Sequence, residues 1–206
     1  MSILVLTSDT LIGTAAAGNI EYSSPIFTGT PIGTQRGIVP TQQYYRLNAD
    51  YVGTNVATAQ SIFGVGVTLS ASTVYEFEYY MVLNKTAGTT GHTISIGFGG
   101  TATVNNILVA FTYVNFAAGL PNGGAANHAA STSVSPVAVF TVTAAAAQSS
   151  LLLLKGTVSI NAGGTFIPQY TLSAAPGGAY STLTGSYIRI NPLSASGAAT
   201  NVGTWA

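Results

Sequence analysis

The chain has 206 residues, with five Lys or Arg, five Asp or Glu and no Cys. Charged residues make up 5% of it, against roughly 25% in ordinary soluble domains. Zero net charge without a Lys/Arg cluster excludes the electrostatic footprint of nucleic-acid binding and disfavours an anionic membrane surface, and the lack of Cys removes disulfides, Cys-ligated zinc and thiol catalysis.

A monomer this poor in charge, with a mean hydropathy of +0.43, is poorly solvated. We therefore expect much of its surface to be covered by other subunits. No apolar run approaches the ~18–20 residues of a membrane helix. The opening MSILVLTSDTLIG has no basic stretch and Asp9 cuts its apolar run short, so no secretory leader is expected.

Residues 1–40 differ from the rest. Pro25, Pro31 and Pro40 alternate with Gly18, Gly29, Gly33 and Gly37, which rules out a helix or a central strand. We read this segment as an extended N-terminal arm, with edge strands as the other option. Its Tyr22, Ile26 and Phe27 bury little apolar area alone and need a host surface, so they are candidate interface residues.

From residue 41 to 206 the chain reads as short strands with glycine punctuation. Gln43–Leu47, Ser61–Phe63 and Val67–Leu69 come first. Thr73–Leu83 (TVYEFEYYMVL) is the clearest strand. Tyr75, Phe77, Tyr79, Met81 and Leu83 share one face, and Val74, Glu76, Glu78, Tyr80 and Val82 the other. His92–Phe98 alternates with Ile94, Ile96 and Phe98 in phase, and Ile107–Phe116 follows. Residues 117–133, rich in Gly and Ala, read as a long surface loop. Pro136–Thr143 is a further strand.

Leu151–Ile160 and Thr165–Leu172 read as a hairpin closed by a tight turn at Asn161–Gly164. Val158, Ile160, Phe166 and Tyr170 are its expected core residues. Leu151–Leu154 is apolar on both faces and so needs two partners, the domain's own core and something else. Leu151 and Leu153 are therefore candidates for subunit contact. Ser186–Asn191 is the last strand before a Gly/Ala/Ser-rich tail. The pattern predicts an all-β fold, most simply a jelly-roll-like antiparallel β-sandwich preceded by the arm.

Candidate chemistry is sparse. Glu76 and Glu78 lie at i and i+2 on one strand face, a pairing that glycosidases use. Lys155 and Arg189, both on strands, are placed to pair with them across a sheet, and we favour structural ion pairs over catalysis. His92 and His128 have no second ligand at metal spacing and are expected to be exposed or capping. The glycine clusters match no nucleotide-binding pattern. No enzyme activity, cofactor or metal is expected. The tyrosines (eleven in all) suit either a protein interface or a carbohydrate groove, and we favour the interface.

Gly156–Trp205 (GTVSINAGGTFIPQYTL…NVGTW) resembles the end of a widespread β-rich domain in virion proteins of tailed bacteriophages. Ala17–Tyr22 (AGNIEY), Arg36–Val39, Gln43–Leu47 and Tyr75–Phe98 are similar to upstream elements of the same family. The chain departs from the family at Ser23-Ser24-Pro25, where Asp-Gly is common. The resemblance implies a virion structural protein, assembled in the host bacterial cytoplasm. With only a short stretch ahead of the motif, no fibre shaft is expected. The expectation is a homotrimeric capsid decoration (cement) protein whose partners are itself and the major capsid protein or another virion protein. The alternative is a receptor-binding tip or tail-fibre-type domain recognising a host glycan.

Overall fold

The computed structural model describes residues 6–12, 14–33, 35–116, 127–142 and 147–194. Their secondary structure is all β, in antiparallel sheets. A small sheet holds β1 (Ile20–Ser23), β2 (Ile26–Ile32) and β3 (Gln35–Val39). Next come β4 (Gln43–Arg46), β5 (Tyr51–Val52), β6 (Gln60–Ser61), β7 (Val67–Leu69) and β8 (Thr73–Lys85). β9 (His92–Gly99), β10 (Thr103–Phe116), β11 (Asn127–Ser131) and β12 (Val137–Val142) follow. The last are β13 (Gln148–Ala162), β14 (Gly164–Leu172), β15 (Ser181–Thr182) and β16 (Tyr187–Ser194).

Two sheets form the sandwich. The larger runs β11-β10-β13-β8, and β8 then pairs with β16 and β15, which carry β4 and β5 outward. The smaller runs β12-β9-β14-β6, with β7 on β14. Long strands consecutive in sequence alternate between the sheets from β8 to β10 and again from β12 to β14. That alternation is the jelly-roll habit.

The core follows the period of two. Tyr75, Phe77, Tyr79, Met81 and Leu83 of β8 are all buried, and so are Leu152, Leu154, Val158 and Ile160 of β13. Ile94, Ile96 and Phe98 of β9 meet them with Phe166, Tyr170 and Leu172 of β14. Phe98 and Phe166 stack at 4.6 Å and Phe77 packs against Phe98 at 5.6 Å, so aromatic rings join the sheets at their centre. Gly156 interrupts the inward row of β13 because a Cβ there would collide with the Leu108 carbonyl.

Two expectations need correction. β13 and β14 are two strands, but they are not paired with each other. β13 lies between β10 and β8, and β14 lies in the opposite sheet beside β9. The turn at residue 163 is an arch across the core, not a hairpin. At its far side a Cβ on Gly164 would come within 2.7 Å of the Ala102 amide nitrogen, so the arch packs too tightly for a side chain. Second, the loop expected over 117–133 contains β11, which pairs with β10 from Val109↔Ser131 to Tyr113↔Asn127. Residues 117–126 lie outside the described residues. Within the segment read as an arm, Ile20–Val39 forms the meander β1–β3, with Arg36 Nε 2.7 Å from Glu21 Oε2.

The alternation of β13 over Leu151–Leu154 makes a simple test. Leu152→Ala empties a fully buried site and is expected to cost about 2–5 kcal/mol, whereas Leu151→Ala, half-buried on the other face, costs less than half as much. Urea unfolding of both variants measures this. Equal losses would mean that the inward and outward rows are wrongly assigned.

Candidate functional site

The outer face of the larger sheet gathers the residues singled out from the sequence. Register sets them in rows. One row crosses from β10 to β4 as Ala110, Lys155, Glu78, Arg189 and Tyr44, and the row beside it as Leu108, Thr157, Glu76 and Asn191. On the other side lie Thr112, Leu153, Tyr80, Tyr187 and Arg46, then Val114, Leu151 and Val82. The face is thus polar at one end and apolar at the other, with tyrosines between.

Glu78 is the anchor of the polar end. It is 7% exposed, and a carboxylate so withdrawn from water is costly unless paired. Its Oε2 receives Lys155 Nζ at 2.8 Å and Arg189 Nη2 at 2.9 Å, and its Oε1 accepts the Tyr187 hydroxyl at 2.8 Å. Burial works against its charge, but the hydrogen bonds from Lys155, Tyr187 and Arg189 outweigh burial and hold the pKa at about 2. The same contact raises the pKa of the Tyr187 hydroxyl and of Arg189.

Glu76 is different. It is exposed, and among the described residues no ion pair includes it; it adds only a longer-range attraction to Arg189. Of the four residues expected to form ion pairs, the structure therefore joins Glu78, Lys155 and Arg189 and leaves Glu76 beside them. A general acid needs a raised pKa, and Glu78 has the reverse.

The tyrosines form a ladder that sequence reading did not assemble. Tyr80 stacks on Tyr187 at 5.6 Å, and Tyr187 on Tyr44 at 5.4 Å. Its one sequence signal is Tyr80, in phase with Glu76 and Glu78. The partners come from β16 and β4, which no local pattern places next to β8.

At the apolar end Leu151 and Leu153 are half-buried and point away from the core, beside Val82 and Val114. Leu108, across the face, is 58% exposed. In the small sheet Tyr22 stacks on Phe27 at 4.4 Å, both half-buried. Ile26 is already buried within the chain, so the surface an interface can use there comes from Tyr22, Phe27 and the protruding Ile20 and Ile32, 70% and 71% exposed.

His92, expected at the surface or as a cap, is buried. Its Nδ1 lies 2.8 Å from the Thr90 carbonyl, which only accepts, so Nδ1 carries the proton and Nε2 takes the Tyr180 hydroxyl at 2.8 Å. Burial, with the Lys85 charge nearby, lowers its pKa despite the Thr90 bond. His128 is exposed, with Nδ1 3.2 Å from Thr112 Oγ1. Among the described residues no group of three His, Cys, Asp or Glu is placed to hold a metal ion, and no helix is long and apolar enough to cross a membrane.

No family model matches the chain, and no curated protein does. Among solved structures it is similar to a chain in the structure of infectious bursal disease virus Gx strain, at 11% identity over 76% of this chain and 42% of that one. The TM-score is 0.19, and at that value the likeness carries no argument about fold or function.

The Glu78 pairing predicts a pH response. Its folded pKa lies below the ordinary value of 4.5, so its contribution is complete above about 4.5 and is lost as pH falls towards about 2. Glu78→Gln is expected to cost on the order of 1–3 kcal/mol at pH 7. The penalty should shrink across that acid window, as measured by urea unfolding at pH 7, 4 and 2.5. A penalty that does not vary with pH would mean that the charge on Glu78 does not stabilise the fold.

Proposed function

We propose that this chain is a non-enzymatic structural subunit of a tailed-phage virion, a homotrimeric capsid decoration protein that strengthens the shell by packing. The observation that carries the reading is the apolar end of the outer sheet face. Leu151, Leu153, Val82 and Val114 form a continuous patch pointing away from the core. These side chains are already half-buried, so covering the rest of each yields on the order of 1 kcal/mol. The charges that normally keep such a face soluble are scarce, at 5% of residues.

The small sheet supports the same reading. Ile20 and Ile32 stand almost free of the chain's own surface, as suits a segment that lies on a neighbour or on the shell. The virion setting comes from the resemblance of the closing block and the AGNIEY element. That the chain itself supplies every partner of the Glu78 carboxylate supports a structural role for it.

Leu151→Asp together with Leu153→Asp is expected to convert the oligomer to monomers in light scattering, with the far-UV circular dichroism unchanged. Retention of the wild-type mass would remove this face from the assembly. Deleting residues 1–40 is expected to lower the heat or osmotic resistance of particles, and unchanged resistance would count against any role for that segment on the shell.

A further inference from the structure

The polar end of the same face holds a recess that assembly through the apolar end leaves unused. Four of the chain's ten charged side chains, Glu76, Glu78, Lys155 and Arg189, line it together with Gln42 and Asn191. Its volume is ≈ 270 Å³, just below the roughly 300–1,000 Å³ usual for small-molecule sites. A chain that spends so few charges elsewhere concentrates them here. The Glu78 hub accounts for three of them, but not for Glu76, which makes no ion pair among the described residues.

We propose that this recess is a binding site for an uncharged saccharide. Its two carboxylates and two cations cancel, so it offers no net field to select an anion or a cation. It offers closely spaced strong donors and acceptors instead. Lys155 and Arg189, with side chains 60% and 46% exposed, keep N–H groups beyond those given to Glu78. Glu76 contributes a carboxylate outside any ion pair of the described residues, and Asn191 and Gln42 an amide each, so neighbouring hydroxyls of a sugar ring can both donate and accept.

The Glu78 hub holds the two cations in place, which is the pre-organisation a small ligand requires. Next to the recess an aromatic side chain continues the Arg189 row. Tyr44 lies in the Arg189 row on the edge strand β4, stacked on Tyr187 on one side and 55% exposed, which suits the C–H face of a pyranose. This site does not rest on the virion reading and occupies the opposite end of the face from Leu151 and Leu153.

The test uses the full-length protein on immobilised oligosaccharides, one set uncharged (glucose, galactose, mannose and N-acetylglucosamine polymers) and one set acidic (sialylated and uronic-acid chains). Glu76→Ala and Tyr44→Ala are run beside the wild type, with mass and thermal midpoint recorded for each. We expect retention on at least one uncharged glycan, weakened about tenfold or more by either substitution, at unchanged mass and midpoint. No retention by the wild type, a preference for the acidic set, or variants that bind like the wild type would each overturn the proposal. So would a loss of oligomer mass in Glu76→Ala without any saccharide binding, since the recess would then be a contact between copies.

Discussion

A carboxylate withdrawn from water must be met by donors, and the outer face of the larger sheet is arranged around that requirement. Glu78 lies on the central strand β8, with Lys155 on one neighbour and Arg189 and Tyr187 on the other. The one side chain therefore ties three adjacent strands together on the side away from the core. Its register also fixes what surrounds it. Tyr187 reaches Glu78 while stacking on Tyr80 and Tyr44, so the aromatic ladder and the charge hub depend on a single alignment of β16 against β8. A slip of one residue would turn Arg189 inward and Ile188 outward, breaking the hub and the core together.

The two faces of that sheet do different work. Inside, rings and aliphatic side chains from both sheets interlock around Phe77, Phe98 and Phe166. Outside, the hub divides a polar recess from an apolar patch. Surface burial can hold copies together at one end while the other end stays open to a small polar ligand. In a chain with this little charge, placing four ionised groups in one recess separates those two surfaces without a second domain.

Much of this was legible in the sequence, and the reason is the period of two. The alternation in Thr73–Leu83 placed Tyr75 to Leu83 inward and Glu76 to Val82 outward, and β8 has that arrangement. Opposite-sign residues on separate strands suggested cross-strand pairs, and Glu78 meets both cations. Partner choice was not legible. Asn-Ala-Gly-Gly between two apolar strands is compatible with a hairpin or with an arch, because the turn needs the same backbone freedom in each. Long-range packing of β13 between β10 and β8 decides the matter. β11 was hidden in a run of Asn, His, Ala and Ser with no apolar alternation; it is a strand because β10 offers it an edge. A lone His gives no local sign of burial, and the Tyr180 hydroxyl that satisfies His92 lies 88 residues away.

Under the proposed assembly, further copies of the chain cover the apolar end of the outer face and the small sheet. Sedimentation velocity of the unmodified protein from about 0.1 to 50 μM, a range that spans the dissociation constants of specific interfaces, addresses it most directly. A trimer gives a single species of three times the 20.9 kDa chain mass over most of that range. A well-folded monomer that persists to the highest concentration would contradict it.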